Sequence, residues 1–307
     1  MPYSPSFQGW AARLLGRFYF VGSFWYWFQH WAMRRLPEWL KGPMTALCVA
    51  FFFCCLFRAR RGVAKNLEVV LGPCGFFERQ RRLYAVFHAW AWCRNERYEH
   101  LTANPRAYRL DIEGGEHFKE LAKGDKGFLI LTPHVGNFES GAMLPTSLLE
   151  GRRLHLVRRP EPGAGAERWV KELIDKYLPP QIEMHALVDG HETGIVLLHA
   201  LRAGDLVSMG CDRPPLDGKI LTATVFGRPF ALPSGPLRLM RAAEVPAVLM
   251  CFFREGRSHY RLAVRPPIRI VNGDLQAAAD QLGRELEWAI LQHPFQWFTF
   301  GSVWNSG

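Results

Sequence analysis

The sequence predicts an α/β fold, a layered mixed or largely parallel sheet flanked by helices, and three observations support it. From about residue 109, short β-like runs alternate with segments of helical periodicity. Hydrophobic residues make up 49% of the 307 residues and charged residues 21%, so the chain must bury a sizeable core. No repeat or low-complexity linker interrupts the pattern. A disordered, collagen-like or small disulfide-stapled protein is excluded.

The predicted elements follow one another along residues 108–307. Strands are predicted at residues 108–112, 127–132, 154–158, 205–209, 245–253 and 260–264, with a hairpin over residues 222–232 that turns at Gly227. Helices are predicted at residues 116–122, 164–177, 192–202, 235–243 and 275–291. Alternation of this kind is typical of helices packed on a mainly parallel sheet.

Residues 1–107 differ from the rest in charge and composition. Residues 1–110 hold 16 Lys and Arg against 5 Asp and Glu, a net charge of +11, whereas residues 111–307 hold 22 against 23. Two aromatic or apolar segments, residues 18–33 and 44–57, lie in the same region. Cationic charge beside Trp, Tyr and Phe suits an anionic bilayer surface. We therefore predict an N-terminal membrane-associating helical region over residues 1–107 and an α/β domain over residues 108–307.

Neither apolar segment has the length of uninterrupted apolar sequence that a membrane-spanning helix needs. A spanning helix needs about 20 apolar residues. Residues 18–33 are broken by Gly22 and contain Gln29 and His30, which is typical of an interfacial anchor or a partly inserted hairpin. Residues 44–57 are interpreted first as a buried core helix. Whether either segment spans the bilayer stays open.

The sequence favours a membrane over nucleic acid as the partner of the basic region. The sequence has no zinc-finger spacing, no aromatic motif of an RNA-binding sheet and no helix-turn-helix punctuation, so no nucleic acid is expected. The seven cysteines include no Cys-x-x-Cys pair, which indicates reduced thiols in a cytosolic environment. No cleavable signal is expected at the first residues.

A polar cluster directly after the predicted strand 127–132 forms the candidate site. It contains His134 in a turn, then Gly136, and Glu139 about one turn into a following helix. Sheets of this class place their sites at the carboxyl ends of strands. A carboxylate can hold one imidazole nitrogen while the other accepts a proton, which activates a hydroxyl or amine. A surface histidine beside a first-turn glutamate is the alternative that spacing alone leaves open.

The segment HVGNFE at residues 134–139 resembles the His-x4-Asp/Glu signature of the lysophospholipid acyltransferase-like superfamily. More narrowly, it is similar to the bacterial lipid A lauroyl/myristoyl acyltransferase family, which often has HxGNWE at this place. The resemblance extends from about residue 58 to the C-terminus. It includes residues 60–71 (RRGVAKNLEVVL), 154–160 (LHLVRRP), 201–213 (LRAGDLVSMGCDR), 225–254 and 293–297 (HPFQW).

The resemblance implies an acyltransferase that needs no cofactor. It implies transfer of a fatty acyl chain from acyl carrier protein or coenzyme A to a hydroxyl of a membrane lipid, most closely a lipid A precursor or related glycolipid. The implied place is the cytoplasmic face of a bacterial inner membrane. His134 would be the general base and Glu139 its orienting partner, with direct attack on the thioester and no acyl-enzyme.

The resemblance also implies substrate-binding residues. Gly136 and Asn137 would line the site. Arg158 and Arg159 would bind a phosphate of the acceptor or of phosphopantetheine, because guanidinium groups match phosphate geometry. Two solvated arginines at a strand end are the alternative.

Four further positions are assigned with alternatives. Asp212 would bind acceptor hydroxyls or form a salt bridge with Arg158 or Arg159. Arg213 stands where many relatives have Gln, which leaves the identity of the acceptor in doubt. The backbone amides of Ser234 and Gly235 would bind an anion, although a plain helix cap explains both residues equally well.

Other chemistries have less support in the sequence. No metal is assigned, because the remaining histidines, among them His155 and His185, lack metal-ligand spacing. A serine hydrolase at Ser140 lacks the G-x-S-x-G elbow. The open alternatives are an acyltransferase for an amino lipid, a mannolipid or a polyene-type metabolite, a thioesterase or lipid hydrolase in which His134 activates water, and a noncatalytic lipid-binding protein.

Overall fold

The computed structural model describes residues 23–100, 106–138, 146–161, 164–187, 190–213 and 218–304. Among these residues, the first elements are helices α1 (Ser23–Arg35), α2 (Glu38–Cys55), α3 (Phe57–Leu71) and α4 (Phe76–His100). The next are β1 (Arg109–Glu113), α5 (Gly115–Ala122), β2 (Leu129–Thr132), β3 (Leu154–Arg158), α6 (Ala164–Tyr177), β4 (Ile182–Ala186), α7 (Gly190–Arg202) and β5 (Leu206–Gly210). The last are β6 (Ile220–Val225), β7 (Arg228–Pro233), α8 (Ser234–Ala243), β8 (Ala247–Gly256), β9 (His259–Val264) and α9 (Leu275–Gln292).

Seven strands form one sheet in the order β1-β9-β8-β2-β5-β3-β4. Neighbouring strands are parallel except for β8 and β9, which are antiparallel. Strands β6 and β7 pair separately as a hairpin, and its turn residues Phe226 and Gly227 have φ of 53° and 70°. Paired positive φ values are those of a tight two-residue turn that follows the twist of the strands. The predicted layered, largely parallel α/β sheet and the turn at Gly227 are confirmed.

The central strand β2 is buried on both faces. Leu129 and Leu131 lie in one apolar cluster, which includes residues of α7, α8 and α9. Phe128 and Ile130 point the other way, into a second cluster that includes residues of α5. Successive side chains of a strand face opposite sides of the sheet. A strand covered on both sides therefore has a continuous apolar run.

Helix α2 carries an apolar surface that the described chain leaves largely uncovered. Its buried residues are Lys41, Thr45 and Val49, whereas Leu47 is 67% exposed and Phe51 42% exposed. Within the described residues, this 18-residue helix is the one long and apolar enough to cross a membrane, and 17% of it is buried. The interpretation of residues 44–57 as a buried core helix is therefore wrong. An apolar helix of this exposure fits a membrane-associating region.

The aromatic segment 18–33 is described from Ser23 onward, as part of α1. Trp27 and Trp31 are exposed, and their rings stack with centroids 6.2 Å apart. The Tyr26 hydroxyl donates a hydrogen bond of 2.6 Å to Glu161, which follows β3. Helix α1 therefore contacts the α/β part of the molecule and also presents aromatic rings to the outside.

A buried ionic network joins the N-terminal helices to β8 and β9. Glu96 of α4 is fully buried and accepts two hydrogen bonds of 3.1 Å from Arg254. Glu99 of α4 accepts hydrogen bonds from Lys41 of α2 at 2.8 Å and from Arg257 at 2.6 Å. Burial raises the pKa of Glu99, but Arg257 and Lys41 outweigh it and hold that pKa below its ordinary value. The network fixes α2 and α4 against β8 and the turn between β8 and β9.

Most predicted elements agree with the observed ones to within a few residues. Strand β3 and helix α6 have the predicted bounds, and α9 ends one residue later than predicted. Strand β4 was not predicted, and α3 and α4 were not predicted individually. The predicted boundary between residues 107 and 108 lies just before β1 and stays a prediction.

Candidate active site

The candidate site lies where the neighbouring strands β2 and β5 end. Thr132, the last residue of β2, is in register with Gly210, the last residue of β5. Beyond that pair, the amide of Cys211 donates to the Thr132 carbonyl oxygen at 3.2 Å. Because the strands are parallel, His134 and Asp212 leave the sheet at the same edge.

Asp212 holds His134 by two hydrogen bonds. Its Oδ1 lies 2.6 Å from Nδ1 of the imidazole, and its Oδ2 accepts the backbone N–H of His134 at 3.0 Å. The Asp212 side chain is 3% exposed, whereas that of His134 is 20% exposed. Burial raises the pKa of Asp212, but His134 and Arg213 outweigh it, so that pKa lies below its ordinary value.

The contact with Asp212 determines which imidazole nitrogen can act as a base. An ionised carboxylate only accepts hydrogen bonds, so Nδ1 of His134 carries the proton and donates it. In the neutral ring, Nε2 then has the lone pair. A buried carboxylate that fixes the tautomer and stabilises the protonated imidazole is the arrangement of a histidine general base.

The C-terminal segment holds the backbone around His134. The amide of Phe298 donates to the His134 carbonyl at 2.9 Å, and the amide of Gly136 donates to the Gln296 carbonyl at 2.9 Å. Val135 forms an isolated antiparallel bridge with Trp297. The Pro-x-Gln-Trp block near the C-terminus therefore positions the histidine turn, which explains why two segments about 160 residues apart belong to one site.

Gly136 lies where a side chain does not fit. Its φ is 71°, and a Cβ added there would collide with the carbonyl oxygen of Phe252. Its amide is already bonded to Gln296, and the amide of Asn137 donates to the Phe252 carbonyl at 2.6 Å. These two N–H groups thus serve the fold and do not point at a substrate. These contacts are structural, and the predicted role of Gly136 and Asn137 in lining the site stays a prediction.

Asn137 is buried and begins a polar chain that sequence reasoning missed. Its Nδ2 lies 3.5 Å from the hydroxyl of Tyr260, and that hydroxyl donates to Glu96. Burial and the neighbouring Glu96 raise the pKa of Tyr260. The signal that could have found this chain is the polar run Asn95–Tyr98 (NERY) inside an otherwise aromatic helix. The chain from Asn137 through Tyr260 to Glu96 links the turn around His134 to the ionic network of α4.

Phe138 packs against the catalytic candidate, and Glu139 lies outside the described residues. The rings of Phe138 and His134 have centroids 4.5 Å apart and planes inclined by 56°. The sequence predicts that Glu139 holds one imidazole nitrogen of His134, and the structure shows Asp212 in contact with Nδ1 of that ring. The role of Glu139 stays a prediction, and Ser140 also lies outside the described part of the chain.

Arg158 is paired with a carboxylate other than Asp212. Its guanidinium makes a bidentate ion pair with Glu167 of α6, with one contact at 2.8 Å. The hydrogen bonds from Arg158 lower the pKa of Glu167. The alternative in which Asp212 pairs with Arg158 is therefore wrong, because Glu167 is the nearer carboxylate. Arg159, the next residue, is exposed.

Arg213 lies beside the histidine turn, whereas Ser234 and Gly235 lie at the start of α8. The guanidinium of Arg213 donates to the carbonyl of Phe298, whose amide in turn donates to His134. The backbone amide of Ser234 donates to the Lys219 carbonyl at 3.0 Å, so it is occupied in the fold. The anion-binding role predicted for the amides of Ser234 and Gly235 stays a prediction. Gly235 is exposed in the first turn of α8.

The comparisons with known proteins agree with the resemblance carried by HVGNFE. A family model described as bacterial lipid A biosynthesis acyltransferase matches residues 11–306, nearly the whole chain. No curated protein matches the chain. The match covers both the N-terminal helices and the α/β part, so it extends well beyond the single motif.

Proposed function

The chain belongs to the family of bacterial lipid A biosynthesis acyltransferases, and we propose that it moves a fatty acyl group from a thioester to a hydroxyl of a lipid A precursor or related glycolipid. The observation that carries the mechanism is the pair formed by His134 and Asp212, with 2.6 Å between Nδ1 and Oδ1. This pair leaves Nε2 as the base at the carboxyl edge of the sheet.

The reaction needs only proton transfers by His134. Nε2 takes the proton of the acceptor hydroxyl while that oxygen forms a bond to the thioester carbonyl carbon. The carbon–sulfur bond then breaks, and the leaving thiolate takes the proton back from the imidazolium. Asp212 stabilises the imidazolium between the two steps through its negative charge. The products are an acylated lipid and a free thiol carrier, and no cofactor is required for the balance.

Phosphate recognition is assigned first to Arg159. Arg158 already forms a bidentate pair with Glu167, so binding a phosphate there would require breaking that pair. Arg159 is exposed at the end of β3, the same edge of the sheet as His134. Its guanidinium matches a phosphate of the acceptor or of phosphopantetheine. Arg213 donates to the carbonyl of Phe298, whose amide donates to His134, and is assigned to the acceptor head group.

The N-terminal helices are assigned to the membrane surface. Exposed Trp27 and Trp31 of α1 and Leu47 and Phe51 of α2 supply apolar area. The +11 charge of residues 1–110 supplies attraction to anionic lipid and to an acidic acyl carrier protein. The proposed place is the cytoplasmic face of the bacterial inner membrane, where thioester donor and lipid acceptor meet.

The proposal is tested by an acyl-transfer assay read by mass spectrometry. Purified full-length protein is incubated with acyl carrier protein or coenzyme A thioesters, with and without a lipid A precursor. Wild type is compared with His134→Ala and with His199→Ala, an exposed histidine on α7. We expect a lipid that gains one acyl mass with wild type and His199→Ala, and a rate roughly 100- to 10,000-fold lower with His134→Ala.

Two results would contradict the proposal. Free fatty acid in place of acylated lipid would mean that His134 activates water and that the protein is a hydrolase. Equal activity of folded His134→Ala and wild type would mean that the base lies elsewhere. The two donors in parallel also identify which thioester the protein uses.

A further inference from the structure

Two histidines and a glutamate cluster on β3 and the edge strand β4. His155 is the second residue of β3, and the parallel register places it beside Glu183, the second residue of β4. His185, two residues further along β4, faces the same side. One ligand atom of each of these three side chains lies within 4.8 Å of the ligand atoms of the other two.

The distances within the cluster are short and specific. His155 Nδ1 lies 2.8 Å from His185 Nε2, so one ring proton sits between two nitrogens. The Glu183 carboxylate lies 3.7 Å from His155 Nδ1 and 3.6 Å from His185 Nε2. The His155 side chain is 7% exposed, that of His185 15% and that of Glu183 53%. The cluster is thus buried on the histidine side and open to solvent on the glutamate side.

Asp205 fixes the tautomer of His155. It directly precedes β5, the other neighbour of β3, and its Oδ2 lies 3.3 Å from His155 Nε2. Its Oδ1 accepts the backbone N–H of Arg153 at 3.1 Å, so the carboxylate is held in place. Because the carboxylate only accepts, Nε2 of His155 carries the proton and Nδ1 presents a lone pair. A carboxylate behind a histidine in this way is the usual outer support of a metal ligand.

We propose that His155, His185 and Glu183 bind one divalent zinc ion. Two imidazole nitrogens and a carboxylate suit zinc, and a water on the exposed side completes four ligands. Tetrahedral zinc with bonds of about 2.1 Å places its nitrogens about 3.4 Å apart, so the two rings separate by roughly half an ångström. On binding, the neutral His185 carries its single proton on Nδ1 instead of Nε2, so that Nε2 offers a lone pair to the ion and no proton is lost from the ring. The charges of Glu183 and Asp205 balance the charge of the ion.

The zinc site is independent of the proposed acyl transfer. His155 and Glu183 are the second residues of β3 and β4, and His185 is the fourth residue of β4, whereas His134 follows the carboxyl end of the central strand β2. Strand β4 is the edge strand of the sheet. The ion therefore cross-links this edge strand to β3, with Asp205 extending the link to β5. The ion is expected to stabilise the folded protein.

The test is zinc binding by full-length protein prepared without a histidine tag. Chelator-treated protein is dialysed against zinc chloride, and zinc per chain is measured by mass spectrometry of the metal. Cobalt(II) is the second probe, because visible absorption reports its coordination geometry. We expect one zinc per chain, a tetrahedral cobalt spectrum, and a melting temperature about 5 °C higher at zinc near 100 times Kd.

Variants separate this site from adventitious binding. His185→Gln should abolish stoichiometric zinc binding, Glu183→Gln should weaken it, and Asp205→Asn should weaken it about 10- to 100-fold by removing the support of His155. The matched control is His199→Gln, an exposed histidine on α7. It should bind zinc as wild type does. Melting curves in chelator show that each variant is folded. Because Glu183 is exposed, Glu183→Gln should disturb folding least.

The proposal is overturned by either of two results. Wild type that takes up no zinc or cobalt has no such site. Folded Glu183→Gln and His185→Gln that bind zinc with wild-type affinity place the ion elsewhere. Acyl-transfer activity has no part in these readouts, so a failure of the proposed function leaves the test intact.

Discussion

Replacing Asp212 with asparagine removes the charge beside His134 and keeps the size of the side chain. The carboxylate contacts Nδ1 at 2.6 Å and the backbone N–H at 3.0 Å, and it is 3% exposed. Losing a charged hydrogen bond costs about 1.5–3 kcal/mol, and weakening the second costs about 1 kcal/mol. The sum corresponds to a fall in kcat of roughly 100- to 1,000-fold. An amide that donates to Nδ1 also forces the ring proton onto Nε2, which favours the larger value.

The assay for this variant is steady-state acyl transfer with kcat and KM measured separately. A matched control is Asp111→Asn, because Asp111 lies 2.7 Å from the ring of His259 but is 45% exposed and distant in sequence from the candidate site. The control should stay within about twofold of wild type, since exposed pairs contribute little. A folded Asp212→Asn protein with kcat within about fivefold of wild type would refute the reasoning. The orienting role would then pass to Glu139.

Three further predictions concern the fold, the membrane surface and acid stability. Gly136→Ala should lower the free energy of unfolding by at least about 2 kcal/mol, whereas Gly227→Ala, at φ 70° with nothing within 4 Å, should cost about 1 kcal/mol in a denaturant titration. Leu47→Asp should weaken sedimentation with anionic vesicles by tenfold or more, and Val271→Asp, equally exposed but in the α/β part, should leave it unchanged. Glu99 has a folded-state pKa below its ordinary value of 4.5, so its contribution to stability is present above about pH 4.5 and is lost as the pH falls through the folded-state pKa. Glu99→Gln should therefore lower the free energy of unfolding by about 3 kcal/mol at neutral pH. Its melting temperature should also fall less steeply than that of wild type as the pH is lowered. Equal melting of Glu99→Gln and wild type, or equal effects within either pair of variants, would contradict these expectations.

Local patterns were sufficient for much of the α/β part. The run before His134 is apolar on both faces of a strand, and a fully buried strand needs that composition. Gly227 indicated its turn because positive φ favours glycine. Strand β4, by contrast, contains Glu183 and His185 at solvent-accessible or polar positions, so it shows neither a continuous apolar run nor a clean alternation. Its place at the sheet edge explains that composition.

Local sequence patterns could not predict which residues, distant in sequence, lie close together in the fold. His134 and Asp212 are 78 residues apart, and they meet only because β2 and β5 are adjacent in the sheet. The same limit hid His155 and His185, whose spacing of 30 residues matches no metal motif. The prediction for α2 failed for another reason. A core helix and a membrane-facing helix share one composition, and the difference lies in which neighbours cover it.

The central claim is that His134 and Asp212 act as one catalytic unit, and a double-mutant cycle measures this most directly. The four proteins are wild type, His134→Ala, Asp212→Asn and the double variant, all assayed for acyl transfer under one set of conditions. If the pair acts as a unit, the double variant is no slower than His134→Ala alone, because Asp212 has no imidazole left to hold. If the two losses multiply in the double variant, Asp212 acts apart from His134 and the proposed mechanism is wrong.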